Sequence, residues 1–217
     1  NFIDEWQDMV VATRTMDEST MSRVWLWTWL TNKLESNGFT QLLSRYLEKR
    51  HNIPQQDFYE ALLEAFLTNE DSVYYPHLQK WSGYAERLEF QYFIAGYVYG
   101  AVLIDIGQYR RAKFLKEVYE VANSLLPEFD PMLSQVMELQ DKSQRQVKEK
   151  TYTVVYDANL YEYLTSDEEL IYGTTTYTIH SQSVPDRFNG DWQAFMNFAR
   201  KNRGWANKIE AANEVIT

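Results

Sequence analysis

Residues 22–34 read SRVWLWTWLTNKL and hold three tryptophans in five positions, Trp25, Trp27 and Trp29. The alternation is that of a strand, but Val24, Leu26 and Leu30 are apolar as well, so no polar face alternates with the indoles. The flanks decide for a helix. Thr15 and Glu18 are spaced as a capping box, and Asn37-Gly38 is a stop signal. Between them lies room for a helix of about five to six turns. On such a helix Trp25 and Trp29 share a face and Trp27 points nearly opposite. The segment is then apolar almost all round, so it is expected to be a central helix. Trp25 and Trp29 are expected in its core, and Trp27 against another helix or the C-terminal region.

Helical periodicity continues on both sides. Phe2, Trp6, Met9 and Val10 form a stripe upstream; Leu43, Tyr46 and Leu47, then Phe58, Leu62, Leu63 and Phe66, form stripes downstream. Residues 70–79 read as a loop punctuated by Pro76, 86–107 as a long apolar helix, and 109–126 as the next. Asp130-Pro131 opens another helix, which turns wholly polar after Leu139 and is expected to end in a solvated stretch. Within it, at about residues 141–150, lies the expected first site of proteolysis. From residue 151 the composition shifts to Tyr, Thr, Val and Ile. TYTVVYD, LYEYLT and ELIYGTTTYTIHS fit two or three short strands, and residues 190–216 return to helical periodicity broken at Gly204. The expected fold is mainly α: a bundle-like helical domain over 1–150 and a small α+β unit over 151–217 that needs to dock on it.

Two segments resemble known families. GAVLIDIGQYRRA, residues 100–112, resembles part of a tetratricopeptide repeat through Gly100, Gly107, Tyr109 and Ala112. No second copy occurs at a fixed period, and Tyr119 stands where that repeat has a small residue. The resemblance therefore implies one antiparallel helical hairpin, and the family's peptide-binding role is not carried over. YTIHSQSVPDRFNGDWQAFMNFARKN, residues 177–202, looks like a LysM-type β-α module in its Tyr-Thr-Ile strand, Gly190-Asp191, Trp192 and a helix ending in Ala199 and Asn202. It lacks the Gly-Asp turn after the first strand, and its closing strand reads as another helix.

The 217 residues carry 31 acidic and 21 basic side chains, a formal charge of −10. That balance argues against direct nucleic-acid binding, which needs clustered Lys and Arg, and favours a basic protein partner. Without cysteine, thiolate catalysis and Cys-based metal sites are excluded. The three histidines, His51, His77 and His180, have no helical metal-ligand spacing, and no glycine-rich phosphate loop or nucleophile motif occurs, so no metal, cofactor or catalytic residue is assigned. The longest uncharged run, residues 90–104, is too short for the ~20 residues of a membrane span. The absence of a glycosylation sequon points to a cytoplasmic protein. The chain opens on Asn-Phe-Ile rather than Met, so a removed signal remains compatible with it.

Two charged features single themselves out as partner-binding surfaces. From His51 to Gln79 there is no Lys or Arg, and Asp57, Glu60, Glu64, Glu70 and Asp71 stand uncompensated beside Phe58, Tyr59, Tyr74 and Tyr75. Acidic grooves with aromatic anchors suit basic peptides. Arg110, Arg111, Lys113 and Lys116 form an opposite patch at the start of a helix, where the helix dipole favours anions instead. Pairing of Lys113 with Glu117 and of Lys116 with Glu120 would relieve it. Gly96 and Gly100 mark a close helix approach. Both charged patches in one chain would also suit self-association. The leading expectation is a non-enzymatic binding or assembly protein using Asp57, Tyr59, Glu60, Glu64, Tyr74, Tyr75, Arg110, Arg111 and Lys113. The alternative is an enzyme with its active site in a cleft between the two units. An acidic mimic of nucleic acid is a weaker reading, because the basic residues interrupt the carboxylates.

Overall fold

The computed structural model describes residues 13–35, 38–79, 110–144, 150–181 and 208–212. The upstream stripe Phe2–Val10, Asn37, the apolar stretch 86–107 with Gly96 and Gly100, most of the tetratricopeptide-like motif and residues 182–202 of the LysM-like one lie outside them. The fold is mainly α with a small C-terminal α+β unit. The described elements run α1 (Glu18–Leu34), α2 (Gln41–His51), α3 (Gln55–Thr68), α4 (Arg111–Ser124), α5 (Met132–Ser143), β1 (Lys150–Ala158), α6 (Leu160–Thr165), β2 (Tyr172–Ser181) and β3 (Lys208–Ala212).

The tryptophan segment is helical, but its ends and its burial differ from expectation. Asp17, not Thr15, is the N-cap of α1: its carboxylate accepts the Thr20 N–H at 2.8 Å. Thr15 is held in a tight turn with Thr13, whose hydroxyl accepts the Met16 N–H at 3.0 Å. Nor is α1 buried all round. Leu26, Trp29, Leu30 and Leu34 enter the core, Trp25 and Trp27 are half-buried, and Val24 and Thr28 face solvent. Trp29 meets Tyr74 edge-on at 6.3 Å, Tyr74 stacks on Phe66 at 4.8 Å, and Phe114 lies 5.9 Å from Tyr74. This aromatic cluster joins α1, α3 and α4 to residues 72–79, where a loop was expected and residues 75–79 are helical instead, Leu78 N–H donating to the Tyr74 carbonyl at 2.9 Å. More of the core comes from α2, through Leu43, Tyr46 and Leu47, from α3, through Phe58, Leu62, Leu63 and Phe66, and from α5, through Leu133, Val136 and Leu139.

The connection from α1 to α2 is a polar knot inside this core. Gly38 has φ +73°, which suits glycine, and a Cβ there would meet Gln144 Nε2 at 3.1 Å. Thr40, the N-cap of α2, makes no side-chain cap. The acceptor comes instead from α5: Gln140 Oε1 accepts the Leu42 N–H at 2.7 Å, and Gln140 Nε2 donates to the Gly38 carbonyl at 2.6 Å. Gln144 donates to the same carbonyl. At the end of α1, Glu35 accepts hydrogen bonds from the Tyr59 hydroxyl and, at 3.0 Å, from Ser44 Oγ, while Thr40 lies 2.9 Å from the Tyr59 hydroxyl. The stretch expected to be solvated therefore begins buried. Gln140, Ser143 and Gln144 are all in the interior, because their amides and hydroxyl answer backbone groups that would otherwise be orphaned. Early proteolysis is not expected at 141–144, and residues 145–149 lie outside the described chain.

Two assignments in the C-terminal unit are corrected. LYEYLT forms α6, because burying Leu160, Tyr163 and Leu164 follows the helical period despite the tyrosines' strand preference. KIEAA forms β3, which pairs antiparallel with β2 from Thr176↔Ala212 to His180↔Lys208. Strands β1 and β2 pair antiparallel from Lys150↔Ser181 to Ala158↔Tyr172, giving the order β1-β2-β3. Val154, Tyr156, Tyr177 and Ile179 face the core, while Thr151, Thr153, Val155 and Asp157 face out. The sheet packs on α5 and α6 meets α2. Lys49 Nζ donates to the carbonyls of Tyr163 and Ser166 at 2.7 and 2.6 Å, and Arg45 donates to that of Leu164 at 3.2 Å. Two cations of α2 thus close the carbonyl end of α6, where the helix dipole favours them.

Replacing Gln140 by Leu keeps the volume but strands the Leu42 N–H and weakens the contact to Gly38. Each buried unpaired group costs ~1–3 kcal/mol. Urea denaturation of Gln140→Leu is expected to show a loss of about 2–4 kcal/mol. A loss below about 1 kcal/mol would mean that water takes over the amide's role.

Candidate functional site

Helices α1 and α3 do not close completely against each other. Thr20, Arg23, Val24 and Trp27 from α1 and Gln56 and Glu60 from α3 line a groove of about 370 Å³. Val24 is 41% exposed on one wall. Among the described residues, the buried indole nitrogen of Trp27 has no hydrogen-bond partner. The buried hydroxyls of Tyr74 and Tyr156 are also unpartnered, but neither residue lines this groove. The rim is charged. Arg23 reaches across from α1 to Glu60 at 3.7 Å and Glu64 at 3.3 Å, with all three side chains about half-exposed. The geometry arises locally: Asp57, Glu60 and Glu64 recur at helical spacing on the face of α3 opposite its buried stripe.

The structure places the sequence-predicted residues unevenly. Asp57, Glu60 and Glu64 are exposed along α3, as expected. They are not all uncompensated, since Arg23 serves two of them. Tyr59 and Tyr74, expected on the surface, are 1% and 0% exposed. Tyr59 belongs to the α1–α2 knot and Tyr74 to the aromatic cluster, so neither can anchor a partner without leaving the core. Tyr75 is half-buried. Arg110 is the N-cap residue of α4. Arg111 pairs with Asp141 at 2.5 Å. Lys113 donates to the Asp71 carbonyl rather than facing an acidic surface. Lys116 pairs with Glu120 at 3.6 Å as expected, but Glu117 turns inward. The basic patch is thus largely engaged within the chain.

Two groupings escaped the sequence. At the end of α2, His51 Nε2 lies 2.8 Å from Asp130 Oδ2, and the Tyr46 hydroxyl donates to the same oxygen at 2.5 Å. Asp130 Oδ1 accepts the Met132 N–H, the first of α5, at 2.9 Å. Burial works against ionisation of Asp130, but the hydrogen bonds from Tyr46, Met132 and His51 outweigh it and hold the carboxyl below its usual range. The residues lie 79 and 84 positions apart, so no local spacing reports them. The second grouping is Glu117, 9% exposed in the apolar stripe of α4. It accepts from Ser72 Oγ at 2.9 Å and from the Val73 N–H at 3.2 Å, and it borders a cavity of about 300 Å³ lined also by Phe66, Asn69 and Val121. Burial pushes its carboxyl above the usual range, against those hydrogen bonds and the nearby Lys113 and Arg110.

Among the described residues, no group of three His, Asp or Glu side chains is placed to hold a metal ion, and no helix is long and apolar enough to cross a membrane. No family model matches the chain, and no curated protein matches it. The tetratricopeptide-like and LysM-like resemblances therefore rest on their short motifs alone.

The two carboxyls predict opposite pH responses. A raised folded-state pKa, as at Glu117, stabilises below the unfolded value and loses that contribution as pH rises through the folded one. A lowered one, as at Asp130, stabilises above the unfolded value and is lost as pH falls through the folded one. Urea midpoints from about pH 4 upward are expected to show a downward contribution that Glu117→Gln removes, whereas Asp130→Asn removes a loss confined to below about pH 4. Unchanged slopes in both variants would contradict these assignments.

Proposed function

We propose that this is a non-enzymatic binding protein that takes a basic, amphipathic segment of a protein partner into the groove between α1 and α3. The observation that carries the reading is the conjunction in one groove of the Trp27 ring, whose buried N–H has no acceptor among the described residues, an exposed valine and a carboxylate rim. A buried donor without an acceptor is costly, and a segment carbonyl that displaces the side chains covering the Trp27 N–H would supply the acceptor. Apolar side chains of the segment would cover Val24, and its cations would meet Glu60 and Glu64. Relative to the expectation from sequence, the acidic face of α3 is kept, and Trp27 replaces Tyr59 and Tyr74 as the aromatic anchor. A role in assembly, a cytoplasmic location and a boundary near residue 150 belong to the same reading. They are supported by the two charge patterns, the absence of a sequon and the composition shift, respectively.

An enzymatic reading has one observation in its favour, the buried and shifted carboxyl of Glu117 beside a cavity. The hydrogen bonds Glu117 accepts come from Ser72 and Val73, which suits a structural carboxylate better than a catalytic one. Neither cavity described lies between the helical part and the α+β unit, where the alternative would put the active site.

The test uses a fluorescein-labelled Leu–Lys amphipathic peptide about four helical turns long, followed by anisotropy. The wild-type protein is expected to bind it more weakly as salt is added. Trp27→Phe, which keeps the ring and removes the N–H, is expected to weaken binding about three- to tenfold, the range of one hydrogen bond. Equal binding by Trp27→Phe and wild type, or no binding by either, would count against the groove.

A further inference from the structure

The acidic face of α3 already holds a cation, and that cation comes from the other wall of the groove. Arg23 projects from α1 to within 3.7 Å of Glu60 and 3.3 Å of Glu64, and the guanidinium donates to Glu64. It therefore stands where the reading above would place a cation of the bound segment. Three facts bear on what Arg23 does there. First, Arg23 and Glu60 both line the groove that holds Trp27, so the ion pair is part of the groove wall. Second, the side chains are about half-exposed, at 49% for Arg23 and 47% and 58% for the two carboxylates, which makes the pair weak and readily exchanged. Third, the interaction is not needed to join the two helices. Leu26, Trp29 and Leu30 of α1 and Leu62, Leu63 and Phe66 of α3 are already buried in one core.

We propose that Arg23 is an internal competitor for the binding groove, a guanidinium that occupies the Glu60–Glu64 carboxylates until a cation of the partner segment displaces it. This deepens the binding function proposed above and rests on it. The physical consequence is selectivity by exchange. A segment that brings a cation replaces one ion pair with another and releases Arg23 to solvent. A segment without one has to leave Arg23 in place and gains apolar contact alone. An acidic segment gains least, because the Arg23 charge is already neutralised and the net field of α3 is negative. Charge complementarity thus selects a basic partner in preference to a second copy of this acidic chain.

The experiment compares wild type, Arg23→Gln and Arg23→Lys with three probes: the Leu–Lys peptide, a Leu–Glu peptide of equal length, and the unlabelled protein itself in sedimentation. Arg23→Gln is expected to bind the Leu–Lys peptide about two- to fivefold more tightly than wild type, in keeping with the small strength of an exposed ion pair. Arg23→Lys, which keeps the charge, is expected to stay close to wild type. The gain of Arg23→Gln is expected to vanish when Glu60→Gln and Glu64→Gln are added. Wild type binding the Leu–Lys peptide with no gain in Arg23→Gln would overturn the competitor and leave the binding function standing. No binding of that peptide by any variant would overturn the binding function itself. Equal binding of the Leu–Glu peptide, or self-association strengthened by Arg23→Gln, would also overturn the proposal, by assigning the groove to apolar segments in general or to a second copy.

Discussion

The side-chain amide of Gln140 is the contact on which the rest of the helical part depends. A helix that begins in the interior must find acceptors for its first N–H groups, and Thr40 supplies none to α2 by its side chain. Gln140 gives that acceptor from another helix and, with its own N–H₂, takes up the carbonyl of Gly38. The amide can do both because one end accepts and the other donates. Fixing Gly38 and the start of α2 fixes where the chain returns from α1, and Glu35 at that point is held by Tyr59 of α3 and Ser44 of α2. The knot ties the end of α1 to α2 and α3, and together with the core those helices share it sets them beside each other, and hence the groove between α1 and α3.

The two parts of the fold are joined in the same manner, with side chains of one element completing the backbone of another. Lys49 and Arg45 close the end of α6, and the amide of Gln135 accepts from the N–H of Asp157 in β1 while donating to its carboxylate. Burial is continuous across the junction, from Leu47 and Val136 to Tyr156 and Leu164. Unpaired polar groups in such an interior cost more than the net gain of an ordinary hydrogen bond, so these ties define where elements sit even where they add modestly to stability.

Much of the fold was legible because it is local. The stripe of Phe58, Leu62, Leu63 and Phe66, the carboxylates opposite it and the strand TYTVVYD all follow from period and propensity. What the sequence concealed was decided by partners far along the chain. Gln140 sits in a stretch that reads as solvated, and only Leu42 and Gly38, about a hundred positions away, show why it is buried. Tyr59 and Tyr74 stand beside acids in sequence, yet the period of α3 and the ring stacking on Phe66 turn them inward. The acids of α3 looked uncompensated because Arg23 lies 41 positions from Glu64. Trp29 is in the core as expected, but Trp25, expected beside it, is half-buried like Trp27, and the place of Trp27 on the groove wall needed the geometry of two helices.

The groove, the orphaned indole and the rim carboxylates support the proposal that a basic amphipathic segment completes the α1–α3 face. The most direct probe is the indole N–H of Trp27 itself, followed by nitrogen–proton NMR as the Leu–Lys peptide is added. The account expects the Trp27 side-chain resonance to shift and to gain protection from solvent exchange, as an N–H does on finding an acceptor, while that of the core residue Trp29 stays in place. A Trp27 resonance that does not move at saturating peptide, with shifts appearing elsewhere on the protein, would contradict it.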